Sequence, residues 1–194
     1  MKWFDSLSRK NPAFTVRNNF VQHEDEKMKK LYEYLELNRP SKIIYISFFQ
    51  DMLHFYPSQE NVHSYFAEDV ISGNQDEELK ELFLHYSCEV VLAQHHPLYS
   101  AELQLHEKIK NLSGKEHVFT VFVSFTDLVF LNSKQSDLKI SHLQLMQTLT
   151  ENSIDESKWN ALLTEIMKEN DKSVRNNPLA ESLQEWFDKV TWNN

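Results

Sequence analysis

The chain has 194 residues, of which 41% are hydrophobic and 25% charged, and this composition excludes an intrinsically disordered protein. It contains only two glycines, whereas average usage of about 7% would give roughly 14, and it has neither the GxxxxGK[ST] nor the GxGxxG pattern of phosphate-binding loops. The formal net charge is −9, which disfavours binding to the phosphate backbone of nucleic acids.

The charge is unevenly distributed along the chain. Residues 1–40 carry 8 basic and 6 acidic side chains and residues 41–194 carry 12 and 23, so the two parts have net charges of +2 and −11. An acidic body favours a partner protein that is basic or presents an amphipathic helix. Because the chain has a single cysteine, no secretory signal and no apolar run long enough to span a bilayer, we expect a cytoplasmic protein.

The first third of the chain predicts two helices. Residues 24–38 place Met28, Leu31 and Leu35 at helical spacing behind an acidic first turn. Residues 41–56 are more apolar, but their polar positions are separated by steps of three, one and three, which is the spacing of one helical face. These polar residues are Ser47, Gln50, Asp51 and His54. The spacing predicts a helix that begins after Ser41 and stops at Pro57.

The middle of the chain predicts three further helical segments. Residues 61–71 form a short amphipathic helix that closes near Gly73. A long helix is expected to begin at Asn74 and to reach Pro97, and an apolar stripe then continues as a helix to Ser113.

Residues 117–131 permit two interpretations. Phe119, Val121, Val123 and Phe125 alternate with other residues as in a buried strand. However, Ser113 and the glutamate three positions later have the spacing of a capping box, and the polar residues again follow a helical period. We expect a helix, with a strand as the alternative.

The last third is predicted to contain three helices. One carries Leu138, Leu145 and Leu149, the next begins near residue 155, and the last begins at Asn177 and Pro178. The fold class expected is therefore all-α, a compact bundle of about seven to nine helices. Residues 1–194 would form a single helical domain, with residues 1–22 as a loosely attached basic segment. The alternative is an α+β fold with a small sheet from residues 43–49 and 117–131.

A group of potential metal ligands falls within 22 residues in the middle of the chain. It comprises His85, Cys88, His95, His96 and His106. Imidazole and thiolate are suitable ligands for zinc or iron, but the spacing matches no HExxH or paired ExxH motif. We therefore expect no metal and no cofactor, and keep a helical metal-dependent enzyme that uses this cluster as the alternative.

Two carboxylates on apolar segments are further candidates for chemistry. One candidate is Asp51 with His54, and the other is Asp127 near Thr120 and Ser124. Side chains of these types can act as a general acid and a general base. We interpret them as the solvent-facing strips of apolar helices. Because no GxSxG elbow is present either, we expect no catalytic residues.

Large aromatic side chains near the two termini suggest an interaction surface. They are Trp3, Phe4, Trp186 and Trp192, and such side chains are typical anchors of protein interfaces. Together with the acidic charge, they predict a non-enzymatic interaction factor of the adaptor, chaperone-like or immunity type. It would bind another protein through an apolar groove with an acidic rim.

Overall fold

A computed structural model describes residues 15–37, 41–53, 59–124, 126–127 and 156–193, which contain five strands and seven helices. The strands are β1 (Val16–Val21), β2 (Lys42–Ser47), β3 (Val62–Phe66), β4 (Cys88–Leu92) and β5 (Phe119–Ser124). The helices are α1 (Glu24–Glu36), α2 (Gln50–Leu53), α3 (Ala67–Ser72), α4 (Asp76–His85), α5 (Tyr99–Ser113), α6 (Glu156–Ser173) and α7 (Leu183–Lys189).

The five strands form one sheet in the order β3-β2-β4-β5-β1, and every neighbouring pair is parallel. Ile46 of β2 is in register with Tyr65 of β3 and Leu92 of β4, and Leu92 is in register with Val121 of β5. Because consecutive parallel strands require a crossover, the connecting segments must cover the faces of the sheet.

Alternate residues of each strand point to opposite faces and form two separate cores. In β2, Ile43 and Tyr45 pack with α1 on the first face, whereas Ile44 and Ile46 pack with α4, α5 and α6 on the second face. All four side chains are buried. Strands covered on both faces read as nearly continuous apolar runs rather than as alternating patterns.

A third apolar cluster joins the C-terminal segment to the carboxyl edge of the sheet. Trp186 and Phe187 of α7 pack there with Phe49, which follows β2. The backbone N–H of Asp51 donates to the carbonyl of Glu181 at 3.0 Å. The C-terminal segment therefore covers the edge at which β2 ends.

The predicted all-α bundle is wrong, because the fold is built on a five-stranded parallel sheet. The apolar segments at residues 43–49 and 117–131 contain most of β2 and all of β5. Their polar residues Ser47, Thr120 and Ser124 are buried rather than solvent-facing. The alternative of a small sheet from these two segments is right that both contain strands, but it is wrong about the sheet, in which β4 separates them and β1 and β3 form the two edges.

Several helix predictions are confirmed and others are wrong. Helices α1, α5 and α6 lie where their amphipathic patterns predict them. The helix predicted over residues 61–71 is wrong in its first half, because Val62–Phe66 forms strand β3, and only its second half is α3, which Gly73 closes with a positive φ of 92°. The helix expected to reach Pro97 ends at residue 85, where the chain turns into β4, and the final helix begins at Leu183 rather than at Pro178. Ser113 is the last residue of α5, so it caps no following helix. The helix expected around Leu138 lies outside the described residues.

Residues 1–22 were expected to be a loosely attached segment. Within that range, Val16–Val21 forms edge strand β1, and residues 1–14 lie outside the described part of the chain. None of the helices in the described ranges has the length and apolar character needed to cross a lipid bilayer.

Candidate functional site

Neighbouring strands β2 and β4 send the chain to opposite faces of the sheet. After β2 the chain enters α2, whose Met52 packs in the first core with α1, and after β4 it enters α5, whose Leu105 packs in the second core. Where two adjacent parallel strands diverge in this way, a crevice opens at their carboxyl ends. Open α/β sheets bind ligands at such crevices.

A cavity of about 330 Å³ lies at this edge of the sheet. Four aromatic side chains line it, namely Phe48, Phe49, Phe66 and Trp186. Its polar lining side chains are Glu68, His96, Gln104 and Asn177. Ligand sites in proteins combine apolar walls with a few polar groups in this manner, and we call this space the edge cavity.

His96 is the buried polar group of the edge cavity, with 4% of its surface exposed. Its Nδ1 accepts from the backbone N–H of Leu98 at 3.0 Å, which places the ring hydrogen on Nε2. The ring lies parallel to Phe49 with centroids 5.8 Å apart, and Trp186 meets it edge-on at 5.6 Å. Burial lowers the pKa of His96 to about 3, so at neutral pH this residue is an uncharged donor.

A buried polar network supports the loop that carries His96. Glu102 Oε1 accepts from the backbone N–H of His96 and contacts His95 Nδ1, both at 2.8 Å. His95 Nε2 lies 2.7 Å from Asn18 Oδ1, and Asn18 Nδ2 donates to Asn160 Oδ1 at 2.7 Å. The network ties the loop after β4 to β1, α5 and α6, and so fixes the position of His96.

A second polar cluster lies on the first face of the sheet, where β5 ends. Lys27 Nζ lies 3.0 Å from both carboxylate oxygens of Asp127 and 2.5 Å from Glu24 Oε1. Ser124 Oγ donates to Glu24 Oε2 at 2.6 Å and accepts from the backbone N–H of Asp127 at 3.2 Å. Because these groups satisfy one another, the cluster is a structural connection between α1 and β5.

The five potential metal ligands are divided between the two edges of the sheet. His85, at the end of α4, and Cys88, at the start of β4, lie at the amino edge, whereas His95 and His96 follow β4 at the carboxyl edge. His106 stacks on Phe119 with centroids 3.4 Å apart. In the described part of the chain, no three His, Cys, Asp or Glu side chains are arranged to hold a metal ion.

The predicted partner-binding aromatics occupy different environments. Trp186 is fully buried in the C-terminal cluster, and Trp192 is half-buried against Phe187. Trp3 and Phe4 lie outside the described residues. Partner binding through these side chains stays a prediction.

Sequence reasoning missed most of the residues at the carboxyl edge. Ser124 and Asp127 were interpreted as solvent-facing, yet both are buried, whereas Asp51 is exposed and His54 lies outside the described residues. A usable signal was the apolar run at residues 90–93 before His95, since a continuous apolar run is typical of a strand buried on both faces. Functional side chains follow such strands in doubly wound folds.

Comparison of the chain with protein-family models, with curated proteins and with solved structures finds no match.

Proposed function

We propose that this protein binds a small organic molecule in the edge cavity. The observation that carries the proposal is the position of the cavity, at the carboxyl ends of two neighbouring strands whose connections leave to opposite faces. A cavity at this place in an open α/β sheet is where ligand sites recur.

The size and lining of the edge cavity support a compact ligand. Its volume of about 330 Å³ lies at the lower end of the range of ligand sites, about 300–1,000 Å³. Such a volume suits a molecule of one or two rings. The half-buried rings of Phe48 and Phe66 supply binding energy through apolar burial, and the few polar groups orient the molecule.

The positions of the polar groups support a preformed site. His96 is held by Leu98 on one side and by the ring of Phe49 on the other. Glu102 holds the backbone of the same loop. Because the donor is already in place, little ordering entropy is lost when a ligand binds.

The test is a screen of small organic compounds by ligand-observed NMR, followed by calorimetry on those that bind. Phe66→Ala removes one aromatic wall of the edge cavity, and Phe83→Ala removes a half-buried phenylalanine that packs on His117 instead. We expect compounds to bind the native protein and to lose about tenfold or more in affinity with Phe66→Ala only. Compounds that bind Phe66→Ala and Phe83→Ala equally well would contradict the proposal.

A protein partner remains a second proposal, supported by the net charge of −9 and by exposed apolar side chains such as Leu84 and Leu179. The partner would be basic or carry an amphipathic helix. Under this second proposal the protein acts in the cytoplasm and does not bind nucleic acid. The test is co-purification at low and moderate salt, with Leu84→Ser and the half-exposed Leu37→Ser as variants. Recovery of no partner at either salt concentration would count against it.

A further inference from the structure

We infer that the edge cavity takes a flat heteroaromatic molecule without an anionic group, whose ring nitrogen accepts a hydrogen bond from His96 Nε2–H. This inference rests on the proposed function, because it names the chemical class of the ligand at that site. Three features of the cavity carry it: the charge around it, the arrangement of its rings and the direction of its hydrogen bonds.

The charges around the edge cavity disfavour a phosphate or carboxylate group. Among the described lining residues, Glu68 carries the only charge at neutral pH, and it is negative. The N-terminus of α5, which would be the natural place for a phosphate, is already occupied by the protein's own carboxylates. Asp171 accepts from the backbone N–H of Ser100 at 2.9 Å and from its hydroxyl at 2.7 Å, and Glu102 lies in the same first turn.

The rings around the edge cavity favour a flat ligand. Phe49, His96 and Trp186 are buried against one another, so the ring surfaces left for a ligand are those of the half-buried Phe48 and Phe66. Such ring surfaces accept an aromatic ring in stacked and T-shaped contacts. A positively charged substituent is compatible with these ring faces and with Glu68, whereas a negatively charged one is not.

The hydrogen-bonding groups favour a ligand that accepts. His96 presents Nε2–H, since Leu98 N–H occupies its Nδ1. Asn177 Oδ1 already accepts from Trp186 Nε1 at 2.7 Å, which leaves the amide nitrogen of Asn177 as the group that can donate. An occupant that offers an acceptor gains a hydrogen bond from these donors in a site largely shielded from water, and an unprotonated ring nitrogen is such an acceptor.

The inference is tested with compounds of matched shape. Benzamide lacks the ring nitrogen of nicotinamide, and nicotinate replaces its amide with a negative charge. Adenosine is compared in the same way with adenosine 5′-monophosphate. Affinities are measured by calorimetry and ligand-observed NMR. We expect benzamide to bind about fivefold more weakly than nicotinamide, which is the effect of one hydrogen bond. We expect nicotinate and the monophosphate to bind at least about tenfold more weakly than their neutral counterparts.

Two variants test the assigned groups. In His96→Asn the side-chain oxygen can still accept from Leu98 N–H, but the Nε2–H donor is lost, so the preference for nicotinamide over benzamide should disappear. Glu68→Gln should reduce the penalty on nicotinate. Glu77→Gln, which changes an exposed first-turn carboxylate of α4, should leave that penalty unchanged. Thermal melting and circular dichroism verify that each variant is folded.

Three results would overturn the inference, and they differ in what they imply for the proposed function. Tighter binding of nicotinate or of the monophosphate would overturn the ligand class and leave the proposed function intact, provided that Phe66→Ala weakens it. Binding in the same cavity by non-aromatic compounds only would do the same. A screen in which no compound binds would overturn both.

Discussion

Lys27 and Asp127 are 100 positions apart in the sequence, and the ammonium of Lys27 lies 3.0 Å from each carboxylate oxygen of Asp127. Only 1% of the Lys27 side chain is exposed. The pair joins the first turn of α1 to the segment that follows β5. A charge this deeply buried is tolerated only when its partners are present.

Removal of the lysine charge should therefore destabilise the protein. In Lys27→Met the apolar stem is kept, but the Asp127 carboxylate loses its counterion. We expect the free energy of unfolding, measured by urea denaturation, to fall by about 3 kcal/mol or more, as for other broken buried pairs.

Lys30→Met is the matched control on the same helix. The Lys30 ammonium pairs with Glu26 at 2.8 Å, and 46% of its side chain is exposed. Exposed pairs of this kind contribute less than about 1 kcal/mol. Equal losses in Lys27→Met and Lys30→Met would show that the Lys27 pair is not the structural connection described above.

Glu102 should be required for the stability of the loop after β4. Its Oε1 accepts a hydrogen bond from the backbone N–H of His96 and contacts His95 Nδ1. Only 1% of the Glu102 side chain is exposed. Glu102→Gln keeps the shape but removes the charge, and we expect a loss of about 2 kcal/mol, since hydrogen bonds to charged groups contribute about 1.5–3 kcal/mol. Glu107→Gln, at an exposed position of α5, should leave the unfolding free energy within about 0.5 kcal/mol.

The stability of the fold should decrease in mild acid. Burial lowers the pKa of His96 to about 3, and burial together with the nearby His95 and His117 lowers that of His106 to about 3. In the unfolded chain each of these histidines has an ordinary pKa near 6.5. Between these values the unfolded chain binds more protons than the folded one, so this contribution is complete above about pH 6.5 and is lost as the pH falls towards 3.

Urea denaturation between about pH 7.5 and about pH 5 measures this effect. Each of the two histidines contributes a slope of up to about 1.4 kcal/mol per pH unit. His96→Asn should have a shallower decline than the native protein, and the exposed His85→Asn should reproduce the native slope. Identical slopes in all three proteins would contradict burial of a neutral His96.

Cys88 should be unreactive in the folded protein. Burial raises the pKa of its thiol, and its Sγ lies 3.5 Å from the carbonyl oxygen of Leu82. Since the thiolate is the reactive form, we expect alkylation by iodoacetamide at neutral pH to be slow in buffer and rapid in concentrated urea. Rapid modification of the folded chain would show that the amino edge of the sheet opens readily.

The helices that the sequence predicted correctly are those with one solvent-exposed face and one buried face. Met28, Leu31 and Leu35 of α1 recur at helical spacing because α1 buries one side only. β2 was missed because it is buried on both faces, which removes the alternation that marks a strand. In β5 the alternation of Phe119, Val121 and Val123 was visible, but the capping-box spacing of Ser113 and Glu116 was given more weight. The polar residues Ser47 and Ser124 lie at the ends of β2 and β5. Together with the polar residues near them in the sequence, they have the spacing of one face of a helix.

The candidate site was hidden from sequence analysis for a different reason. Phe66, His96 and Trp186 line one cavity, although they are widely separated along the chain. Their meeting depends on strand order and on the face to which each connection turns. Both are decided by packing between distant segments rather than by local pattern.

Composition and local periodicity were enough to establish a folded, acidic chain without glycine-rich phosphate loops, and to locate α1, α5 and α6. These properties depend on residue counts or on neighbours within a few turns. Only the tertiary structure decided that the most apolar segments are strands, that Asp127 is buried against Lys27, and that His96 faces a cavity. The physical reason is that parallel strands pair through crossovers of many residues, so their partners and their buried faces are set by non-local contacts.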